Sequence, residues 1–154
     1  MFDYGTRSQD RLETCHKDIQ LIFNEAIKFY DISILEGIRS DETQLEYYET
    51  GRSQLDGKIK KSKHQGKVDE DGNIVSYAID CMPYKKGTNA FSGKEEDKYR
   101  FYFLAGLIYS ITERLYNKGK ITHKIRWGGD WAMDMVYHPD REFTDLPHFE
   151  LVEA

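Results

Sequence analysis

The chain has 154 residues, 39% of them hydrophobic and 32% charged, the balance of one globular domain large enough to bury a core. Its net charge of −5 argues against a nucleic-acid partner, because phosphate binding needs a dense basic surface. No apolar run approaches the ~20 residues of a membrane span, and Met1-Phe2-Asp3-Tyr4-Gly5-Thr6-Arg7 lacks the basic start and apolar stretch of a secretion signal. Synthesis in the cytoplasm is therefore the expectation.

In chain order, apolar residues at Leu12, Cys15, Ile19, Ile22, Phe23, Ala26, Ile27 and Tyr30 give one helical stripe over Arg11–Asp31. Ile32–Leu35 reads as a short strand. Asp41-Glu42-Thr43-Gln44 has a capping-box pattern that opens a helix to about Tyr48, ended by Gly51. Residues 52–63 are basic and loop-like. Asp71-Gly72, between Lys67-Val68 and Ile74-Val75, signals a hairpin. Ser76–Met82 follows as a strand. Ser92-Gly93-Lys94-Glu95 is a second capping-box pattern, opening a helix with Phe101, Leu104, Ala105, Ile108, Ile111 and Leu115 on its apolar side and closing near Gly119. Ile125–Trp127 and His148–Val152 read as strands joined by a long loop. Helices segregated from short strands predict an α+β single domain, a small antiparallel sheet with helices packed around it. Cys15 and Cys81 lie in apolar patterns and are expected as buried free thiols. Eleven Tyr and eight Phe suit a core or a groove for a peptide or polymer.

Five histidines are available for chemistry. His16 and His123 fall where a structural or surface role is expected. His138 lies in a loop that leaves contact with substrate or metal open. His64 ends a loop, Asp80 interrupts the apolar strand Tyr77-Ala78-Ile79-Asp80-Cys81-Met82, and His148 stands in Asp145-Leu146-Pro147-His148-Phe149-Glu150. A carboxylate inside an apolar strand is costly unless paired or bound to metal. Two imidazoles and one carboxylate make a three-ligand zinc set with a fourth position for water, whose pKa zinc lowers to ~7. Such water needs a base, and Asp145 is three residues from a ligand. In a flat strand, residues that far apart face opposite sides, so a bend at Pro147 is required. On residue chemistry alone, scattered His and Asp without a common role remain an open alternative.

Further motifs carry a resemblance over nearly the whole chain. Arg11-Leu12 through His16-Lys17-Asp18-Ile19-Gln20, Gly37-Ile38-Arg39-Ser40 with Gln44, Gly51-Arg52-Ser53, Ser62-Lys63-His64, Ala78-Ile79-Asp80, Trp127-Gly128-Gly129-Asp130-Trp131 and Asp145–Glu150 occur in this order. Together they resemble the L-alanyl-D-glutamate peptidases of bacteriophage endolysins, relatives of the zinc D-alanyl-D-alanine carboxypeptidases. The resemblance implies one zinc ion held by His64, Asp80 and His148 at the sheet edge, with Asp145 as acid/base. It places Arg39 near the site, to hold a substrate carboxylate or an oxyanion, or else in a structural ion pair. Ser62 is expected to orient His64, and Glu150 to support a ligand. Trp127, Asp130 and Trp131 are expected to pack and support, with Gln44 and His138 as further candidates around substrate.

The family's ligand His and Asp stand seven residues apart. Here the separation is sixteen, nine more, and the excess coincides with the hairpin at about 67–75. Loop lengthening costs little closure entropy, so an outward-folded insertion that reshapes the groove rim is expected. Asp69, Glu70 and Asp71 read as a solvated acidic turn, their spacing missing that of a calcium loop. The resemblance implies a monomer that cuts peptidoglycan stem peptides in the periplasm after release through a holin. The rivals are a D-Ala-D-Ala carboxypeptidase and a non-catalytic wall-binding module.

Overall fold

The computed structural model describes residues 1–138 and 143–154. Its first feature corrects the sequence reading. Two helices, α1 (Thr6–Glu13) and α2 (Lys17–Ala26), stand where one stripe predicts a single helix. Cys15 leaves the helical path to bridge Ser76, and His16 caps α2 by accepting the Asp18 N–H on Nδ1 at 3.1 Å. Apolar periodicity does not register such a break, since Leu12, Cys15, Ile19, Ile22 and Phe23 are buried on both sides of it.

Strand β1 (Ile32–Glu36) leads to α3 (Asp41–Glu49). The cap of α3 is Ser40 rather than Asp41, its Oγ accepting the Thr43 N–H at 3.1 Å. The expected hairpin forms as β2 (Lys67–Val68) and β3 (Ile74–Val75), turning through Gly72 at φ +84°. Then come β4 (Ala78–Pro83), the long α4 (Glu95–Asn117), β5 (Lys124–Trp127) and β6 (His148–Val152). Ser92 does not box α4. Lys94 occupies the cap position without a side-chain bond, while the Ser92 hydroxyl accepts the Lys94 N–H at 3.1 Å and reaches Asp97. Glu95, Glu96 and Asp97 in the first turn complement the helix dipole instead.

The main sheet has the order β1-β4-β6-β5, antiparallel throughout. Strand alternation sorts its two faces. Ile79, Cys81, Phe149, Leu151 and Ile125 join the core with α2 and α4, where Phe23 meets Phe149 edge-on at 5.9 Å. Burial of each such large side chain contributes about 1.5–3 kcal/mol. On the opposite face the register sets Glu36 beside Asp80 and Asp80 beside His148. Glu150, two residues on from His148, shares that face with Arg126, its partner across β5. Polar residues on one face of central strands thus form the floor of a cleft.

Both cysteines are free and buried. Burial pushes the Cys15 thiol up to about 12 and Cys81 well above its ordinary value.

Candidate active site

At the floor, Asp80 Oδ1 lies 3.1 Å from His64 Nε2 and 3.1 Å from His148 Nδ1, and those two ring nitrogens are 3.2 Å apart. The outer ring nitrogens fix the protons. His64 Nδ1 faces the Gly37 carbonyl at 2.7 Å. A carbonyl only accepts, so Nδ1 carries a proton. His148 Nε2 donates to Glu150 Oε2 at 3.0 Å, and Arg126 holds the other oxygen of that carboxylate, with Nε at 3.1 Å. In neutral rings, His64 Nε2 and His148 Nδ1 therefore turn lone pairs toward Asp80. Three acceptors meet with no donor among them, and a cation or an added proton must lie between. The ligand atoms of His64, Asp80 and His148 are close enough to share one metal ion, and the donor set suits zinc.

The electrostatics agree with this demand for positive charge. Burial raises the pKa of Asp80, but once the imidazoles carry the added proton, hydrogen bonds from His148 and His64 outweigh it and hold the carboxyl well below the usual range. Burial lowers His148, yet its bonds to Asp80 and Glu150 lift it to about 9 in the metal-free protein. Burial also raises Glu150, and bonds from His148 and Arg126 bring it down to about 2.

Asp145 reaches the same cleft through a turn. The His148 N–H donates to the Asp145 carbonyl at 3.0 Å across Leu146-Pro147, so the two residues do not follow flat-strand alternation. Trp127 Nε1 donates to the Leu146 carbonyl at 2.7 Å, and Gly128 exchanges backbone bonds with Asp145 and His148, both at 2.8 Å. A Cβ at Gly128 would stand 2.2 Å from the Asp145 carbonyl oxygen, so only glycine permits this approach. Burial, then the charge of Asp80, raises the Asp145 pKa; His148, His64 and Arg39 partly counter them.

Arg39 is tied in before any ligand arrives. It pairs with Glu36, donates to Gln44 Oε1 at 2.7 Å and lies 3.8 Å from Asp80 Oδ2. The fully buried Gln44 also donates to Ser53 Oγ at 3.0 Å and the Leu55 carbonyl at 2.6 Å, joining Arg39 to the 52–63 loop. Ser62 Oγ accepts the His64 N–H at 3.2 Å.

The remaining candidates stand further out. Trp127 is core, packed edge-on by Tyr102. Asp130 takes the Asp134 and Met135 N–H groups and orders that loop. Trp131 lines the cleft beside Phe143 and His148. His138 bonds Asp134 at 2.8 Å and is not among the described cleft residues. The hairpin, expected to alter the rim, contributes no described lining residue. Its tip is held at the start of α2, where Glu70 meets His16 at 3.0 Å and Lys17 meets Asp71 at 2.8 Å. Asp69 Oδ1 accepts the N–H groups of Asp71 and Asn73, forming the expected acidic turn.

Sequence reasoning missed Glu36, Gln65 and Arg126. Gln65 is buried and braces Ser62, Asp41 and Gly57. Arg126 alternates with core residues in a strand, a signal that marks an outward side chain but not its partner.

A second close group, His16, Asp18 and His123, also has metal-capable spacing. Its protons balance without a cation. His16 Nδ1 accepts from the Asp18 N–H and Nε2 donates to Glu70, while His123 Nδ1 donates to Asp18 Oδ2 at 2.9 Å. Asp18 also takes the N–H groups of Thr122 and His123. The group fastens α2 to the start of β5, the structural role expected of both histidines.

The α+β domain thus brings a metal-capable His–Asp–His group and a half-buried carboxylate into one cleft, an arrangement suited to metal-assisted hydrolysis. Residues 1–152 match the family described as Phage L-alanyl-D-glutamate peptidase. The chain belongs to that family and is an L-Ala–D-Glu peptidase of the phage type, a hydrolase of peptidoglycan. Its fold is similar to that of the Serratia marcescens L-Ala D-Glu endopeptidase ChiX, with a TM-score of 0.65 and 21% identity over 97% of this chain and 90% of that one. No curated protein sequence matches the chain.

Proposed function

We propose that the protein is a zinc-dependent endolysin in which His64, Asp80 and His148 hold one zinc ion and Asp145 is the acid/base. The observation that carries this reading is the meeting of Asp80 Oδ1, His64 Nε2 and His148 Nδ1 within 3.1–3.2 Å of one another in the cleft that Asp145 also lines. Bound there, zinc supplies Lewis-acid polarisation of the scissile carbonyl and a water of lowered pKa. Asp145 takes the proton of the attacking water and returns it to the departing D-Glu amine. Glu150 and the Gly37 carbonyl keep the outer ring nitrogens protonated, presenting both imidazoles as ligands in the correct tautomer. Arg39 steadies Asp80 and adds positive charge where the oxyanion develops.

In this reading the enzyme acts as a monomer on the periplasmic face of the wall after release by a holin. No helix among the described residues is long and apolar enough to cross a membrane. Muropeptides digested with zinc-loaded protein and analysed by mass spectrometry test the scissile bond. New D-Glu amine termini are expected, absent with Asp145→Ala. Release of terminal D-Ala alone would favour carboxypeptidase chemistry, and wall binding without cleavage would favour a non-catalytic module.

A further inference from the structure

The chain as a whole is acidic, yet its active cleft, about 530 Å³ in volume, is lined by Arg39, Arg52, Lys61, Lys63 and Arg126. Three of these cations are already engaged. Arg39 pairs with Glu36, Arg126 with Glu150, and Lys63 Nζ donates to the Leu151 carbonyl at 2.8 Å. Of the cleft carboxylates, Asp80 is committed to the two imidazoles and Glu150 to His148 and Arg126, while Asp145 is reserved for the reaction in the proposed mechanism. Arg52 and Lys61 have no ion-pair partner among the described residues.

Arg52 is nevertheless placed with care. Its guanidinium lies 4.0 Å over the Tyr47 ring, and its backbone N–H donates to the Tyr47 carbonyl at 2.7 Å. Gln44 fixes Ser53 and Leu55 just beyond it. Nearer Lys61, Asp56 Oδ1 gathers the N–H groups of Lys58, Ile59 and Lys60, each at 2.9 Å, and Gln65 holds the Gly57 carbonyl. A braced loop thus brings two cations without ion-pair partners among the described residues to the cleft lining. The stacked rings of Trp131 and Phe143, 6.0 Å apart, line the same cleft.

We propose that Arg52 and Lys61 form the subsite for the carboxylate-bearing part of the stem peptide, beginning with the α-carboxylate of D-Glu. The inference rests on the L-Ala–D-Glu peptidase reading. On that substrate the L-Ala side is uncharged, whereas the free carboxylates all follow the scissile bond. The segment after the cut therefore lies against Arg52 and Lys61, and the uncharged L-Ala side against the Trp131 and Phe143 rings. Arg52, planar and pre-stacked, suits bidentate carboxylate binding; Lys61 adds a point charge. This division makes the enzyme a reader of D-Glu amidation, because a D-isoglutamine peptide lacks the anion.

The test uses two synthetic peptides that differ only in D-Glu or D-isoglutamine, with zinc-loaded wild type, Arg52→Gln, Arg52→Lys and Lys61→Gln. Wild type is expected to favour the acid by about tenfold or more in kcat/KM, the scale of one charge-assisted contact. Arg52→Gln erases most of that preference through KM, with zinc content unchanged. Arg52→Lys restores part of it, and Lys61→Gln halves it or more. Equal cleavage of both peptides by wild type would overturn the subsite, as would variants that lose activity equally on both. Cleavage of neither peptide by wild type would overturn the peptidase reading itself, and the subsite with it.

Discussion

His64 Nε2 and His148 Nδ1 face each other across 3.2 Å, and each lies 3.1 Å from one oxygen of Asp80. The outer nitrogen of each ring is already spent, on the Gly37 carbonyl and on Glu150. Two lone pairs that close are tolerable only around positive charge, which separates this group from the self-satisfied His16–Asp18–His123 group.

Replacing Glu150 tests the support behind His148. Glu150→Ala leaves the His148 Nε2–H without its acceptor and frees Arg126. Zinc affinity is expected to fall about 10–100-fold, measured by competition with a chelator of known affinity. Unchanged affinity would remove Glu150 from the site.

Asp145→Asn keeps the side-chain volume and removes the proposed base. An about 10²–10⁴-fold loss in kcat is expected, at full zinc content and unaltered melting temperature. Loss of zinc together with activity would instead make Asp145 a ligand.

The pH dependence has two parts of known sign. In the metal-free protein burial and the charge of Asp80 raise the Asp145 pKa; in the zinc-loaded enzyme the acid limb of kcat/KM should vanish in Asp145→Asn. In the metal-free protein, the raised pKa of His148, about 9, contributes stability that is full below its unfolded value of ~6.5 and lost as pH rises through about 9. Glu150, depressed to about 2, contributes stability present above its unfolded value of ~4.3 and lost as pH falls toward about 2. Both limbs reflect one shared contact and are not added. Melting curves of chelator-treated protein should show both limbs weakened in Glu150→Ala.

Gly128 tests the turn that brings Asp145 in. A methyl group there meets the Asp145 carbonyl oxygen at 2.2 Å, so Gly128→Ala should cost about 1–3 kcal/mol in urea unfolding. It should also lower activity, since the Asp145–His148 turn must shift. Wild-type activity in the folded variant would show that the turn has slack.

Much of this was legible in the sequence. Asp80 announced itself as a carboxylate in an apolar strand, Pro147 marked the bend between Asp145 and His148, and Asp71-Gly72 marked the hairpin. What sequence could not show were through-space relations. Apolar spacing hid the break at His16, because a helix cap leaves the buried stripe intact. The hairpin's direction was set by Glu70 meeting a histidine 54 residues away, and no local pattern encodes that. Arg126 and Gln65 were silent because their importance lies in which groups they hold, not in their spacing.

The most direct measurement is anomalous diffraction at the zinc edge from zinc-loaded crystals, together with metal analysis of wild type and His148→Ala. One zinc per chain, with a single anomalous peak among His64, Asp80 and His148 and its loss in the variant, is the expected result. A peak at His16, Asp18 and His123 instead, or full peptidase activity from protein free of metal, would contradict it.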